Sequence, residues 1–172
     1  KHIDGPMLVL AGAGSGKTKV LTSRIAYLIS NGISCHNILA ITFTNKAAKE
    51  MKTRVVNLIG NVGYSMRIST FHSLGLSILK EHYDLIGYEK NFTILDSDDS
   101  LSLIKKIVKD LDLDPKFFNP KMIRNKISGA KNELMDSCEY MRYANTDIEE
   151  KIVKVYERYE KRLKANNSFD FD

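Results

Sequence analysis

The feature that most constrains this chain is the stretch MLVLAGAGSGKT at residues 7–18. Its four leading apolar residues predict a short buried strand, and the glycine-rich turn after them leads into an amphipathic helix that begins at Lys17. Glycines allow the backbone N–H groups of such a turn to point inward, and the helix N-terminus adds partial positive charge at the same place. The stretch therefore predicts a loop that binds the phosphates of a nucleotide.

Each position of this loop has an expected role. Lys17 would reach the β- and γ-phosphates and the Thr18 hydroxyl would ligate Mg²⁺, so these two are the expected catalytic residues. Ala11 stands where the strict pattern has glycine, but a residue that is still leaving a strand tolerates alanine. The full predicted nucleotide-binding set is Gly12, Ala13, Gly14, Ser15, Gly16, Lys17 and Thr18.

Strand and helix patterns alternate through the first half of the chain. Residues 38–43 (ILAITF) predict a second strand, a helix follows from Asn45, residues 67–69 predict a third strand, and another helix runs from Thr70 to about His82. This alternation predicts an α/β fold with a parallel sheet and right-handed crossovers. Ligands of such sheets bind at the carboxyl ends of the strands, where residues 43–45 and 69–72 would meet the phosphate loop.

The second half has a different character. Asp96, Asp114-Pro115 and Asn119-Pro120 mark predicted helix starts, and a long helix is predicted from Asp147 to Leu163 with Ile148 among its inner residues. We therefore divide the chain into a phosphate-loop domain at 1–83, an all-helical domain without strands at 84–167, and an extended return at 168–172.

Composition narrows the class of protein. Hydrophobic residues make up 43% and charged residues 27%, as in ordinary globular proteins, and no apolar run approaches the roughly 20 residues that cross a bilayer. Cys35 and Cys138 lack metal-ligand spacing and are expected to be buried thiols in a reducing cytosol. Residues 1–90 carry a net charge of +6 and residues 91–172 one of −1, which suggests that an anionic polymer meets the first half.

Two further motifs lie at predicted strand ends, ITFTNKAAKEM at 41–51 and STFHSLG at 69–75. Each places an aromatic residue among hydroxyl groups, and lysines follow the first. Aromatic rings that stack on bases, with cations and hydroxyls that contact phosphates, are the ingredients of a track for single-stranded nucleic acid. The alternative is that Phe43 and Phe71 are core residues and the lysines form a solvated helix face.

These motifs, in this order and spacing, resemble the amino-terminal part of the UvrD/Rep/PcrA family of superfamily 1 DNA helicases. The resemblance implies a partial RecA-like motor domain with an all-α domain inserted into it. The segments FTILDSDDS and ISGAKNEL are similar to parts of that inserted domain. The segment SFDFD resembles the point where the family's chain returns to the motor domain. It implies ATP and Mg²⁺ as ligands, single-stranded DNA and its junctions with duplex as partners, and 3′-to-5′ movement in replication or repair. The positions that match the family's DNA motifs are Phe43, Thr44, Asn45, Thr70 and His72.

The chain also departs from the family pattern. It has no upstream glutamine motif, no apolar strand ending in Asp-Glu and no second motor domain, and both of its ends look cut. We therefore expect an excised piece of a longer cytoplasmic helicase that hydrolyses little ATP by itself. The alternatives are a recombination helicase–nuclease subunit, a nucleotide or nucleoside kinase, and a module that binds single strands without catalysis.

Overall fold

A computed structural model describes residues 3–12 and 14–172 and divides the chain into two compact units, Lys1–Leu79 and Lys80–Asp172. Helices and strands follow one another in the order α1 (Lys17–Ser30), β1 (Leu39–Thr42), α2 (Asn45–Ile59), β2 (Arg67–Thr70), α3 (Phe71–His82), β3 (Thr93–Ile94), α4 (Ser97–Asp110), α5 (Pro120–Asn132), α6 (Ser137–Met141), α7 (Asp147–Ala165) and β4 (Ser168–Phe169). Short 3-10 turns precede β1, precede β2 and follow α3.

The first unit is organised on the parallel pair β1–β2, whose register runs from Leu39 opposite Arg67 to Thr42 opposite Thr70. Ala40 and Ile68 lie opposite each other and both pack against the core of this unit. The buried members of that core come from α1, α2 and the turns before the strands: Ile25, Cys35, Met51, Val55 and Met66. The predicted parallel pairing of these two strands and the predicted helix after each of them are confirmed.

The predicted strand at residues 7–10 is wrong. These residues form no strand, and the side chains of Leu8 and Leu10 are 83% and 86% exposed. The described sheet of this unit contains only β1 and β2, so no neighbouring strand accepts hydrogen bonds from this segment. An apolar run becomes a buried strand only where a paired neighbour satisfies its backbone and covers its side chains.

The second unit packs α4, α5 and α7 around one apolar core. Its fully buried side chains are large and mostly β-branched or aromatic: Ile104, Ile107, Val108, Ile123, Ile127, Ile152, Val155, Tyr156 and Tyr159. The unit is not wholly helical as predicted, because β3 pairs in parallel with β4. Each of these strands has two residues, and their alternation is too short for a sequence pattern to reveal.

Local capping explains why most helix starts are where the sequence predicts them. Asp96 Oδ1 accepts hydrogen bonds from Asp98 N and Asp99 N at the start of α4, and Asn119 caps α5 in front of Pro120. The predicted start at Asp114-Pro115 is wrong, because Asp114 Oδ1 accepts from Lys116 N in a turn that does not continue as a helix.

The last residues of the chain are anchored to the second unit. The carboxylate of Asp170 is only 6% exposed and accepts hydrogen bonds from Lys131 Nζ at 2.7 and 2.5 Å and from Tyr159 Oη at 2.8 Å. Burial raises the pKa of the Tyr159 phenol above its ordinary value, which is already well above neutral pH, so the hydroxyl keeps its proton and donates to the carboxylate. The predicted extended structure is present at Ser168 and Phe169, which form β4, and the buried ion pair holds Asp170 directly after this strand.

One predicted inner position of the last helix is exposed, since the Ile148 side chain is 54% accessible to solvent. Cys138 is also exposed, while Cys35 is buried, and both are free thiols. Within the described residues, no helix has both the length and the apolar character needed to span a membrane.

Two isoleucines of the second unit provide a matched test of this core. Ile127 is 1% exposed and Ile148 is 54% exposed. We expect Ile127→Ala to lower the free energy of unfolding by about 2–5 kcal/mol, because it leaves a cavity, and Ile148→Ala to change it by less than about 1 kcal/mol. Urea unfolding followed by tyrosine fluorescence measures both, since six of the eight tyrosines lie in residues 80–172. Equal losses would contradict the described packing.

Candidate nucleotide and nucleic-acid site

The glycine-rich loop has the backbone conformation of an open cradle. Gly14 and Gly16 have φ angles of 74° and 83°, in the left-handed region that favours glycine. Ser15 N and Ser15 Oγ both donate to Gly12 O, at 3.3 and 2.6 Å, and close a tight turn. A Cβ atom built on Gly12 or Gly14 would meet no atom within 4 Å, so the space beside the loop is open. Ala13, also predicted to bind nucleotide, lies outside the described residues.

The N-terminus of α1 faces this loop without a side-chain cap. Gly16 is the N-cap residue and has no side chain, and the first turn of the helix carries no acidic residue. The first N–H groups of a helix have no intrahelical partner and carry partial positive charge. The start of α1 therefore offers uncapped donors to an anion at the position that the sequence predicts.

Lys17 and Thr18 lie in the first turn of α1. The Lys17 ammonium donates to Gly12 O at 2.8 Å and to Ala11 O at 3.3 Å, so the side chain folds back over the loop. Thr18 is half-buried beside it. The lysine is thus held at the loop by two neutral carbonyl oxygens. The charged oxygens of a phosphate are stronger hydrogen-bond acceptors than these carbonyl oxygens.

The chemistry of the loop fits a nucleotide with its Mg²⁺. No acidic residue occurs between Gly5 and Lys49, so neither the loop itself nor α1 carries a side chain that repels a polyphosphate. The described residues contain no cluster of three His, Cys, Asp or Glu side chains that could hold a metal. Mg²⁺ commonly takes one or two protein ligands and completes its shell with phosphate oxygens and water, so the single hydroxyl of Thr18 is compatible with it.

Two aromatic rings project at the carboxyl ends of β1 and β2. Phe43 follows Thr42 and is 94% exposed, and Phe71 follows Thr70 and is 65% exposed. Because Thr42 and Thr70 are register partners, the two aromatic positions lie at the same sheet edge. The alternative that both rings are core residues of this unit is wrong.

The polar side chains of the two turns differ in their hydrogen bonds and in their exposure to solvent. Thr44 caps α2 by accepting from Ala47 N at 3.1 Å, and Thr42 Oγ1 donates to Thr44 O at 3.0 Å. His72 is exposed at the start of α3. Thr70, in contrast, is only 6% exposed, so its hydroxyl does not face a ligand as the sequence suggests.

Ser73 connects the two turns and was not among the predicted site residues. Thr70 Oγ1 donates to Ser73 Oγ at 2.9 Å, and Ser73 Oγ donates in turn to Asn45 Oδ1 at 3.4 Å. The signal in the sequence is a hydroxyl residue three positions after Thr70, a spacing at which side chains on a helix start can meet. The structure thereby brings Asn45 and Thr70 together.

Comparison with known proteins gives a consistent result. The chain matches the family described as "UvrD/REP helicase N-terminal domain" over residues 1–172. It is 51% identical over its whole length to the protein named ATP-dependent DNA helicase PcrA of Bacillus subtilis, and 48% identical over 98% of its length to the protein of that name in Staphylococcus epidermidis. It is 46% identical over its whole length to that of Staphylococcus aureus. The chain spans 23–24% of the length of these relatives.

The exposure of Phe43 leads to a prediction about stability. We expect Phe43→Ala to change the free energy of unfolding by less than about 0.5 kcal/mol, because the ring buries almost no area. The same substitution at Phe118, which is 7% exposed in the core of the second unit, should cost about 3–5 kcal/mol. Chemical denaturation of both variants measures the difference. A large loss for Phe43→Ala would mean that its ring packs in a core.

Proposed function

The chain belongs to the UvrD/REP helicase N-terminal domain family, and from this we propose that it is the ATP-binding amino-terminal part of an ATP-dependent DNA helicase. The parent protein moves 3′ to 5′ along single-stranded DNA, unwinds duplex at its junctions with single strands, and serves replication or repair in the bacterial cytoplasm. The observation that carries this proposal is the exposure of the Phe43 ring, which is 94% accessible to solvent. This ring lies at a sheet edge, and the strands of that sheet come after the predicted phosphate-binding loop in the sequence.

We assign residues 1–83 to the first part of a RecA-like motor domain, residues 84–167 to its helical insertion and residues 168–172 to the start of the return. The parallel pair β1–β2 with helices after each strand, and the division of the chain near residue 80, support this assignment. Because the relatives are about four times as long, the second motor domain belongs to the remainder of the parent chain.

The loop and the start of α1 hold the phosphates of ATP. Backbone N–H groups near Gly14 and Gly16 contact the phosphate oxygens, and Lys17 exchanges its two carbonyl partners for them. Thr18 supplies one oxygen to Mg²⁺, which when bound neutralises the charge that develops on the transferred phosphoryl group. Hydrolysis also requires a carboxylate that positions water, and the 172 residues contain no apolar strand ending in Asp-Glu, the motif that supplies it in the family. We therefore propose that this piece binds ATP but hydrolyses little of it.

The edge formed by the turns after β1 and β2 holds a single strand. The exposed rings of Phe43 and Phe71 stack on bases, which is tolerant of sequence, while Lys46 and Lys49 at the start of α2 face the phosphates. Residues 1–79 contain nine Lys and Arg residues and only two acidic residues, so the first unit attracts an anionic polymer. Thr44 and Asn45 contribute polar groups at this edge. The buried Thr70 supports the edge through the hydrogen bond from its hydroxyl to Ser73 Oγ.

Nucleotide binding is tested with two lysines of α1. We expect Lys17→Ala to weaken ATP binding at least about tenfold, because it removes a charge-assisted contact to the phosphates. Lys19→Ala is the control, since Lys19 is exposed two residues further along the helix and has the same charge. Isothermal titration with ATP and Mg²⁺ measures both. Equal affinity of the two variants would refute the assignment of Lys17.

Single-strand binding is tested with two exposed aromatic residues of the first unit. We expect Phe43→Ala to weaken binding of a fluorescent oligonucleotide by about 1–3 kcal/mol, because one base loses its stacking partner. Tyr64→Ala is the control, since Tyr64 is 66% exposed but lies in the turn before β2. Affinity should also fall steeply with added salt if phosphates are contacted. Unchanged affinity of Phe43→Ala would contradict the proposed track.

A further inference from the structure

Three polar side chains form a hydrogen-bonded bridge between the turns after β1 and β2. The bridge consists of Thr70 at the end of β2, Ser73 in the first turn of α3 and Asn45 at the start of α2. Ser73 N donates to Thr70 Oγ1 at 3.2 Å, Thr70 Oγ1 donates to Ser73 Oγ at 2.9 Å, and Ser73 Oγ donates to Asn45 Oδ1 at 3.4 Å.

The donors and acceptors of this bridge are internally consistent. Each hydroxyl has one proton, and each uses it once, since Thr70 donates to Ser73 and Ser73 donates to Asn45. Thr70 Oγ1 still accepts from the backbone, and Ser73 Oγ accepts from Thr70. The link to Asn45 is the longest and therefore the weakest, and it is the link that joins residues 28 positions apart in sequence.

The bridge lies where the sheet no longer fixes the two turns. The register of β1 and β2 ends at Thr42 and Thr70, so the ladder does not extend to Phe43 and Phe71. Thr44 orients the first turn only with respect to its own helix, through Ala47 N. Ser73 adds a side-chain link between the start of α2 and the start of α3, beyond the last register pair, and so restrains the spacing of the two exposed rings.

We infer that Ser73 is a positioning residue for single-strand binding, which acts by holding the Phe43 and Phe71 turns in register. The inference rests on the proposed function, because it concerns the same sheet edge. Ser73 acts through Asn45 and Thr70, and the buried Thr70 hydroxyl cannot itself reach DNA. Removal of the Ser73 hydroxyl therefore loosens the two ring positions without removing a ring or a charge.

The test measures the affinity of the full chain for a fluorescent single-stranded oligonucleotide. We expect Ser73→Ala to weaken binding about 3- to 10-fold, the size of effect of one hydrogen bond, and Ser73→Thr, which keeps the hydroxyl, to restore it. Ser77→Ala is the matched control on the same helix, since Ser77 Oγ donates only to its local carbonyl, Leu74 O, at 2.7 Å. Circular dichroism of each variant checks that the total helix content is unchanged.

A second variant distinguishes positioning from direct contact. Thr70→Val removes a hydroxyl that is 6% exposed and keeps the side-chain shape. It should reproduce part of the loss of Ser73→Ala, because it removes the hydroxyl that orients Ser73 but leaves the Ser73–Asn45 link. The double variant should bind no more weakly than Ser73→Ala, because both substitutions act on the same bridge. A double variant that binds more weakly than Ser73→Ala, or an equal loss in Ser77→Ala, would overturn the inference.

Phe43→Ala in the same assay separates this inference from the proposed function. Weak binding by Phe43→Ala together with full affinity in Ser73→Ala overturns only the positioning role. If the unsubstituted chain does not bind the oligonucleotide, the proposed function fails, and the positioning role fails with it.

Discussion

The register of β1 against β2 is the constraint on which the candidate DNA site depends. Side chains alternate between the two faces of a strand, so a slip by one residue would turn Ala40 and Ile68 out of the core and move the aromatic positions apart. The apolar contacts with α1 and α2 therefore do more than stabilise the first unit. Because they fix the register, they also fix where both strands end, and neighbouring strands lie about 4.8 Å apart. Core packing on one face thus determines the geometry of an exposed edge.

The cations of the first unit divide into two groups by what they contact. Lys52 donates to Tyr64 O and Met66 O and ties α2 to the segment before β2, and Arg54 pairs with Glu50 one helical turn away. These charges are used within the fold. Lys46 and Lys49, at the start of α2, are exposed, and their ammonium groups have no hydrogen-bond or ion-pair partner among the described residues. Lys19 and Arg67 are exposed as well, and Lys46 and Lys49 are the exposed lysines nearest to Phe43 in sequence.

The success of sequence reasoning follows the range of the interactions involved. Helix starts at Lys17, Asn45 and Pro120 depend on residues within four positions, so the sequence predicts them correctly. The apolar run at 7–10 depends on a strand that must come from elsewhere, and β3 and β4 pair across 75 residues, so no local pattern could decide either. Ser73 was missed for the same reason, since its decisive contact is with Asn45.

Phe43 shows why the sequence could state the choice but not resolve it. An aromatic residue after an apolar strand is found at core positions as well as at base-stacking positions, and from the pattern alone the core position is the more common. The backbone after Thr42 decides between the two positions. The Thr42 hydroxyl donates to Thr44 O, and the Thr44 side chain caps the N-terminus of α2. These bonds fix a turn at residue 43, at which the chain leaves the sheet and the ring stays exposed. A single exposed ring needs no explanation, but a second one at the matching end of the neighbouring strand, with lysines close by in sequence, is the arrangement expected of a surface that stacks on bases.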